Sequence, residues 1–287
     1  MVAIAGDRGG NMSDDNKIKL GEQLVRCVLD DKLPVDKKLR KMDYIIKLGA
    51  DVNAECGLGY SVLGLAKLVQ NDEVIKFLEE RGAEDIGFDK EKAEEFFKTA
   101  SIEEINNVLK VLPDGYKLDC DVDLSERGLT ELPDFSRLVV GGNFNCQYNE
   151  LETLKGAPSK VGDNFDCSDN QLTSLEGAPR EVGEHFICQY NLLTSLEGAS
   201  SKVGGTFVCS FNNLTSLKGA PREVGVNFNC QCNQLETLEG GPRIVGGNFY
   251  CDYNSLKSYK GKPDKIGGEF VVPKIEQVSN INAGNSR

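Results

Sequence analysis

The chain has 287 residues, 10 cysteines and a formal net charge of −12. Both its first third and the remainder carry an acidic excess, which excludes the basic footprint that duplex nucleic acid demands. No run of about 18 apolar residues is present, so no transmembrane helix is expected.

Residues 1–15 read as a disordered N-terminus, with glycines and charges in place of the apolar core of a secretory signal. Met12-Ser13-Asp14-Asp15 reads as the natural start. Residues 16–112 carry helical patterning. Ile18, Leu20, Leu24, Val25 and Val28 recur at near-helical spacing. Ile45-Ile46-Lys47-Leu48 closes a helix at Gly49 and leads through Ala50-Asp51-Val52-Asn53-Ala54 into a turn. Gly59 to Ala66 and Asn71 to Ala83 read as the next two helices, and residues 89–111 as two more. Ser101-Ile102-Glu103-Glu104 is a capping-box signature, and Pro113-Asp114-Gly115 marks a turn. The stretch from Ile45 to Ala83 resembles an ankyrin repeat, with Ser61-Val62-Leu63-Gly64 where that family has T-P-L-H. The resemblance implies stacked helix pairs. Isolated ankyrin repeats are unstable, so the flanking helices are expected to complete the stack and to cap the first coil of the repeats that follow, shielding its edge strand.

From Val140 the sequence changes character. Six blocks of 21 residues begin at Val140, Val161, Val182, Val203, Val224 and Val245, each close to V-G-x-x-F-x-C-x-x-N-x-L-x-x-L-x-G-x-P. A fixed period in this range means a solenoid, whose coils bury their apolar faces only against each other. With Val as position 1, Phe at 5 and Cys at 7 show strand alternation and point inward together. Asn falls at 10, Leu at 12 and 15, and Gly at 17, where a turn is expected. Leu118 to Val139 is a degenerate first coil, with Arg127 in place of the asparagine. Ile266 to Val272 begins a last one, and 273–287 read as a polar tail.

Phe144-Asn145-Cys146-Gln147-Tyr148-Asn149-Glu150-Leu151 resembles the second half of the leucine-rich repeat, L-x-x-L-x-L-x-x-N-x-L, with Phe and Cys replacing two leucines. The 21-residue length and G-A-P return segment look like a bacterial or phage-type variant. The resemblance implies an α+β repeat protein: an ankyrin-like helical region over 16–112, then a leucine-rich-repeat solenoid over 113–272 with a parallel concave sheet.

Catalytic readings find little support. Six cysteines one repeat apart, Cys146 to Cys251, read as core packing in a reducing cytoplasm, and lack the paired spacing of zinc sites. The asparagine column reads as a ladder of side chains bonding backbone. His185 is the one histidine, too few for a hydrolase of the usual kind. No phosphate-cradling loop or H-E-x-x-H motif is present. No cofactor, metal or small-molecule ligand is expected, and no enzymatic activity.

Positions 4, 6 and 8 are expected to line the concave face, with position 9 at its rim. Ile187 and Val208 then adjoin Tyr190 and Phe211 as an exposed apolar cluster at the middle of the sheet, the usual mark of an interaction site. Tyr148, His185, Gln189, Asn229 and Gln231 surround it, with Tyr250 and Tyr253 beyond. Tyr60 is the one candidate from the helical third. The expected function is a non-enzymatic module that binds a protein partner, with no direct nucleic acid and no membrane. Its expected location is cytoplasmic. The combination resembles bacterial or viral effectors and adaptors. The alternatives are an acidic nucleic-acid mimic and the recruiting part of a ubiquitin-ligase-like effector, for which Cys27 and Cys56 are the thiols to consider, while Cys232 is expected to face solvent as a reactive thiol.

Overall fold

The structure is a computed structural model and describes residues 14–30 and 32–272. The expectations for residues 1–13 and for the tail from Pro273 lie outside these. The chain divides after Asp114 into two compact units.

The first unit is helical: α1 Asp14–Leu29, α2 Val35–Lys47, α3 Val62–Leu68, α4 Asp72–Glu79, α5 Lys90–Thr99 and α6 Ile102–Leu109. Local chemistry sets the boundaries. Pro34 blocks continuation ahead of α2. Ser61, Asn71 and Asp89 cap α3, α4 and α5 by accepting from Gly64, Val74 and Lys92 amides at 3.1 Å each. Ser101 and Glu104 form the expected capping box. Gly49, at φ 101°, ends the turn after α2, as its place in the sequence suggests. The segment between α2 and α3 folds back on itself, with Glu55 bridged antiparallel to Ser61. Leu24, Met42, Leu65, Leu78, Phe97 and Ile105 form the buried side of these helices.

The second unit is a solenoid of two parallel sheets of eight strands each. Every coil contributes two strands of two residues. One sheet runs Lys117–Leu118, Val139–Val140, Lys160–Val161 and onward to Lys265–Ile266. The other runs Val122–Asp123, Phe144–Asn145, Phe165–Asp166 and onward to Phe270–Val271. The single sheet expected from the Phe-x-Cys alternation is thus joined by a second one built on the Val-Gly step. That step stays narrow because a side chain on Gly183 would collide with the carbonyl oxygen of Gly162 in the coil before, and the same holds coil after coil.

Leu118 pairs with Val140 and Val122 with Phe144, so the degenerate coil is a full member of both sheets. Phe144, Phe165, Phe186, Phe207, Phe228 and Phe249 are fully buried and stack in a column, with ring centroids 4.9 Å apart for Phe186 and Phe207. Burying one such side chain is worth about 2–3 kcal/mol. The cysteine column beside it is also fully buried. Its thiols lie against carbonyls of the next coil, as Cys188 does on Val208 at 3.3 Å.

The asparagines form the expected ladder. Asn191 Oδ1 accepts from the Leu172 amide of the previous coil at 3.0 Å. Its Nδ2 donates to the carbonyls of Cys167, Cys188 and Gln189. One side chain therefore satisfies backbone groups of two coils, and the pattern recurs from Asn149 to Asn254.

Candidate functional site

The strand Phe186–Ile187 places Phe186 in the core and Ile187 on the opposite side, and Cys188 returns inward. Position 6 therefore faces outward in every coil and is half-buried throughout. The register sets its members in one row: Asp123, Asn145, Asp166, Ile187, Val208, Asn229, Tyr250 and Val271.

Four members of this row share a structural task. Asn145 Oδ1 accepts from the Gln147 amide at 3.1 Å, Asp166 from Ser168 at 2.9 Å, Asn229 from Gln231 at 3.0 Å, and Asp123 from Ser125 at 3.1 Å. This Asx bond holds the end of the strand. Ile187, Val208, Tyr250 and Val271 have no acceptor to offer at that place. Ile187 and Val208 are cross-strand partners, so two adjacent coils give up the bond and present aliphatic side chains instead.

The rim has its own distinction. Tyr148, Asp169, Tyr190, Phe211, Cys232 and Tyr253 all sit at φ between 53° and 55°, in the left-handed region. Side chains other than Gly, Asn and Asp rarely adopt it, at a cost of about 1 kcal/mol or more each. This turn directs position 10 inward to the ladder and leaves position 9 outside. Tyr190 and Phe211 are 46% and 45% exposed and stack, with centroids 4.5 Å apart and planes at 12°. Leu192, 49% exposed, follows two residues after Tyr190 and is a further exposed apolar side chain in that coil. Sequence reasoning passed over it. Its signal was an apolar residue where the other blocks have Glu150, Gln171, Asn213, Gln234 and Ser255.

The remaining candidates fall into place around this centre. Tyr148 and Tyr253 are exposed, each two coils away from the stacked pair. Gln189 is half-buried and accepts from the Ser210 hydroxyl at 3.4 Å. Gln231 Nε2 donates to Asp252 Oδ1. The Tyr250 hydroxyl accepts from Asn248 Nδ2 at 2.6 Å. Tyr60 belongs to the helical unit, half-buried with its ring 5.2 Å from Phe88. Position 8 departs from expectation at Ser168 and Ser210. Both are 2% exposed, because a hydroxymethyl group does not clear its neighbours as the glutamines do.

His185 is half-buried and performs a task in the fold. Its amide donates to Asn164 Oδ1 at 3.0 Å, and its Nδ1 accepts from the Thr206 amide at 2.9 Å. It stands in a second ladder in which Asp121, Asn143 and Asn164 each serve the next coil in the same way.

Among the described residues, the cysteine thiols whose ionisation is shifted are all moved away from the thiolate. Burial pushes the thiols of Cys146, Cys167, Cys188, Cys209 and Cys230 upward, and that of Cys251 to about 12. The half-exposed Cys232 is also raised, by burial and by Asp252. Burial and the neighbouring Asp166 raise the carboxyl of Asp169. Among the described residues no group of three or more His, Cys, Asp or Glu could hold a metal ion. Among them, too, no helix is long and apolar enough to cross a membrane.

No protein-family description, curated protein or solved structure matches the chain.

Proposed function

We propose that this protein is a non-enzymatic interaction module that binds a protein partner through the outer face of the Phe-strand sheet. On this reading its repeats are of leucine-rich type, its helical unit is ankyrin-like, and it works in a cytoplasm as an adaptor or effector. The observation that carries the proposal is the exchange at Ile187 and Val208. Two neighbouring coils replace the residue that holds the strand end with an outward aliphatic side chain, and the same two coils carry the stacked Tyr190 and Phe211. Structure alone rewards the opposite choice at both positions, since Asn and Asp there gain a bond. Exposed aromatic anchors dominate interface energies, and the amide-rich Gln189, Asn229 and Gln231 suit a polar rim.

The test is a double variant, Tyr190→Ala with Phe211→Ala, compared with the wild type for retention of protein partners from the native source. Binding should be lost while the circular dichroism spectrum stays native. Undiminished retention would reject this face.

A second reading, an acidic mimic of nucleic acid, draws on the carboxylates Asp166, Asp169 and Asp252 on the same sheet. It requires binding that collapses with added salt and is indifferent to Tyr190 and Phe211.

A further inference from the structure

The charges of the solenoid are segregated. Away from the Phe-strand face, opposite charges pair from coil to coil: Lys160 with Glu181 at 3.0 Å, Lys218 with Glu197 at 2.7 Å, Lys257 with Glu236 at 2.6 Å. Positions 4, 6, 8 and 9 of every described coil differ. Each charged residue there is Asp or Glu, and none is Lys or Arg. Asp166 and Asp169 lie together in one coil, immediately before the apolar pair of coils. Asp166 is the register partner of Ile187, and the Asp169 amide donates to the Gln189 carbonyl at 3.1 Å. Neither carboxylate has a cationic partner among the described residues. Their mutual repulsion is part of what raises Asp169. In the rim column Asp169 stands between Tyr148 and Tyr190, both exposed.

We propose that the partner segment docked on this face is cationic as well as apolar: a Lys or Arg seats at Asp166 and Asp169, and an aromatic or branched aliphatic side chain lies on Ile187 and Val208 against Tyr190 and Phe211. The proposal rests on the protein-binding reading above and adds the chemistry of what is bound. Coils stack at about 4.8 Å, so the carboxylate pair lies about 7 Å from the middle of the apolar pair. Residues i and i+2 of an extended strand present side chains to one face at nearly that separation, about 6.7 Å. The recognised element is therefore basic–x–apolar in an extended segment running from coil to coil. An acidic face with no local cation also steers a basic partner toward it and repels acidic ones.

The test uses a display library of random 12-residue peptides, panned on the full chain. Selected peptides should be enriched in Lys or Arg two residues from an aromatic or aliphatic residue. Affinity of one such peptide, measured by fluorescence anisotropy, should fall at least tenfold in the Asp166→Asn, Asp169→Asn variant, with a flatter salt dependence. That variant keeps the Asx acceptor, as Asn145 does, so its circular dichroism should stay native. Tyr190→Ala with Phe211→Ala should abolish binding of the same peptide. Peptides without basic enrichment that lose binding only in the Tyr190/Phe211 variant would overturn the cationic inference and leave the protein-binding face standing. Selection that is equal on wild-type and Tyr190/Phe211 variant protein would overturn both. So would capture of neutral oligosaccharides by this face with no peptide selected.

Discussion

Asp166 and Ile187 are register partners in neighbouring strands, yet they treat the amide two residues on in opposite ways. Asp166 accepts from the Ser168 amide at 2.9 Å, while Ile187 leaves the Gln189 amide without a side-chain acceptor. That contrast yields a first prediction. Replacing a half-buried isoleucine in a sheet by asparagine ordinarily costs roughly 1–3 kcal/mol through lost packing. Ile187→Asn should cost only about 0–2 kcal/mol, because a new Asx bond worth about 1 kcal/mol offsets part of the loss. Urea denaturation measures it, and a loss above about 2 kcal/mol would show that Ile187 has a structural task of its own.

The asparagine ladder should be the least tolerant polar chemistry in the solenoid. Asn191→Ala removes one acceptor and the donations to three carbonyls. Leaving several of those groups unpaired should cost about 3 kcal/mol or more. Asn191→Asp keeps the acceptor but turns oxygen toward carbonyl oxygens, and should be comparably damaging at neutral pH. Both are read from the shift in the urea midpoint. A loss below about 1 kcal/mol for either would mean that water replaces the side chain.

His185 should behave as a ladder residue. His185→Asn restores the side chain found at Asn143 and Asn164 and can still accept from the Thr206 amide. It should leave stability within about 0.5 kcal/mol, whereas His185→Ala strands that amide and should cost about 1–2 kcal/mol. Equal stability of the two variants, measured by thermal melting, would contradict the assigned task.

The cysteine column predicts weakness in alkali. Burial holds these thiols protonated in the fold, above the ordinary value of 9.0, while the unfolded chain ionises near that value. The stability they contribute is complete below that value and is lost as pH rises, for Cys251 across the window from 9.0 to about 12. Each thiol that stays protonated costs about 1.4 kcal/mol per pH unit within its window. The stability of the solenoid should therefore fall steadily above about pH 9. Cys209→Ala should flatten that slope, even though it lowers stability at neutral pH. An unchanged slope in the variant would contradict the assignment.

Much of this architecture was legible because it repeats. One block's Phe-x-Cys is ambiguous, but six in register fix which side is interior, and Phe186, Cys188 and Asn191 occupy the places expected of them. The second sheet was hidden because its strands run straight into glycine, which leaves one inward valine per coil, such as Val140 or Val182, and no alternation to read. The left-handed turn at position 9 was hidden for a different reason. Tyr148, Asp169, Tyr190, Phe211, Cys232 and Tyr253 include no glycine, and the conformation is imposed by the bonds on either side of it. His185 read as a partner-binding candidate because a histidine interrupts a column in which Asn143, Asn164, Asn227 and Asn248 each accept from the next coil, and only the structure shows its Nδ1 doing the same.

The central claim is that partners dock on the outward side of the Phe-strand sheet at its middle coils. A photo-cross-linking residue placed at Phe211, and in a second protein at Lys260 on the return segment, tests it most directly. Irradiation with native-source extract should give a discrete adduct from position 211 and none from position 260. An adduct from 260 alone would place recognition elsewhere on the solenoid.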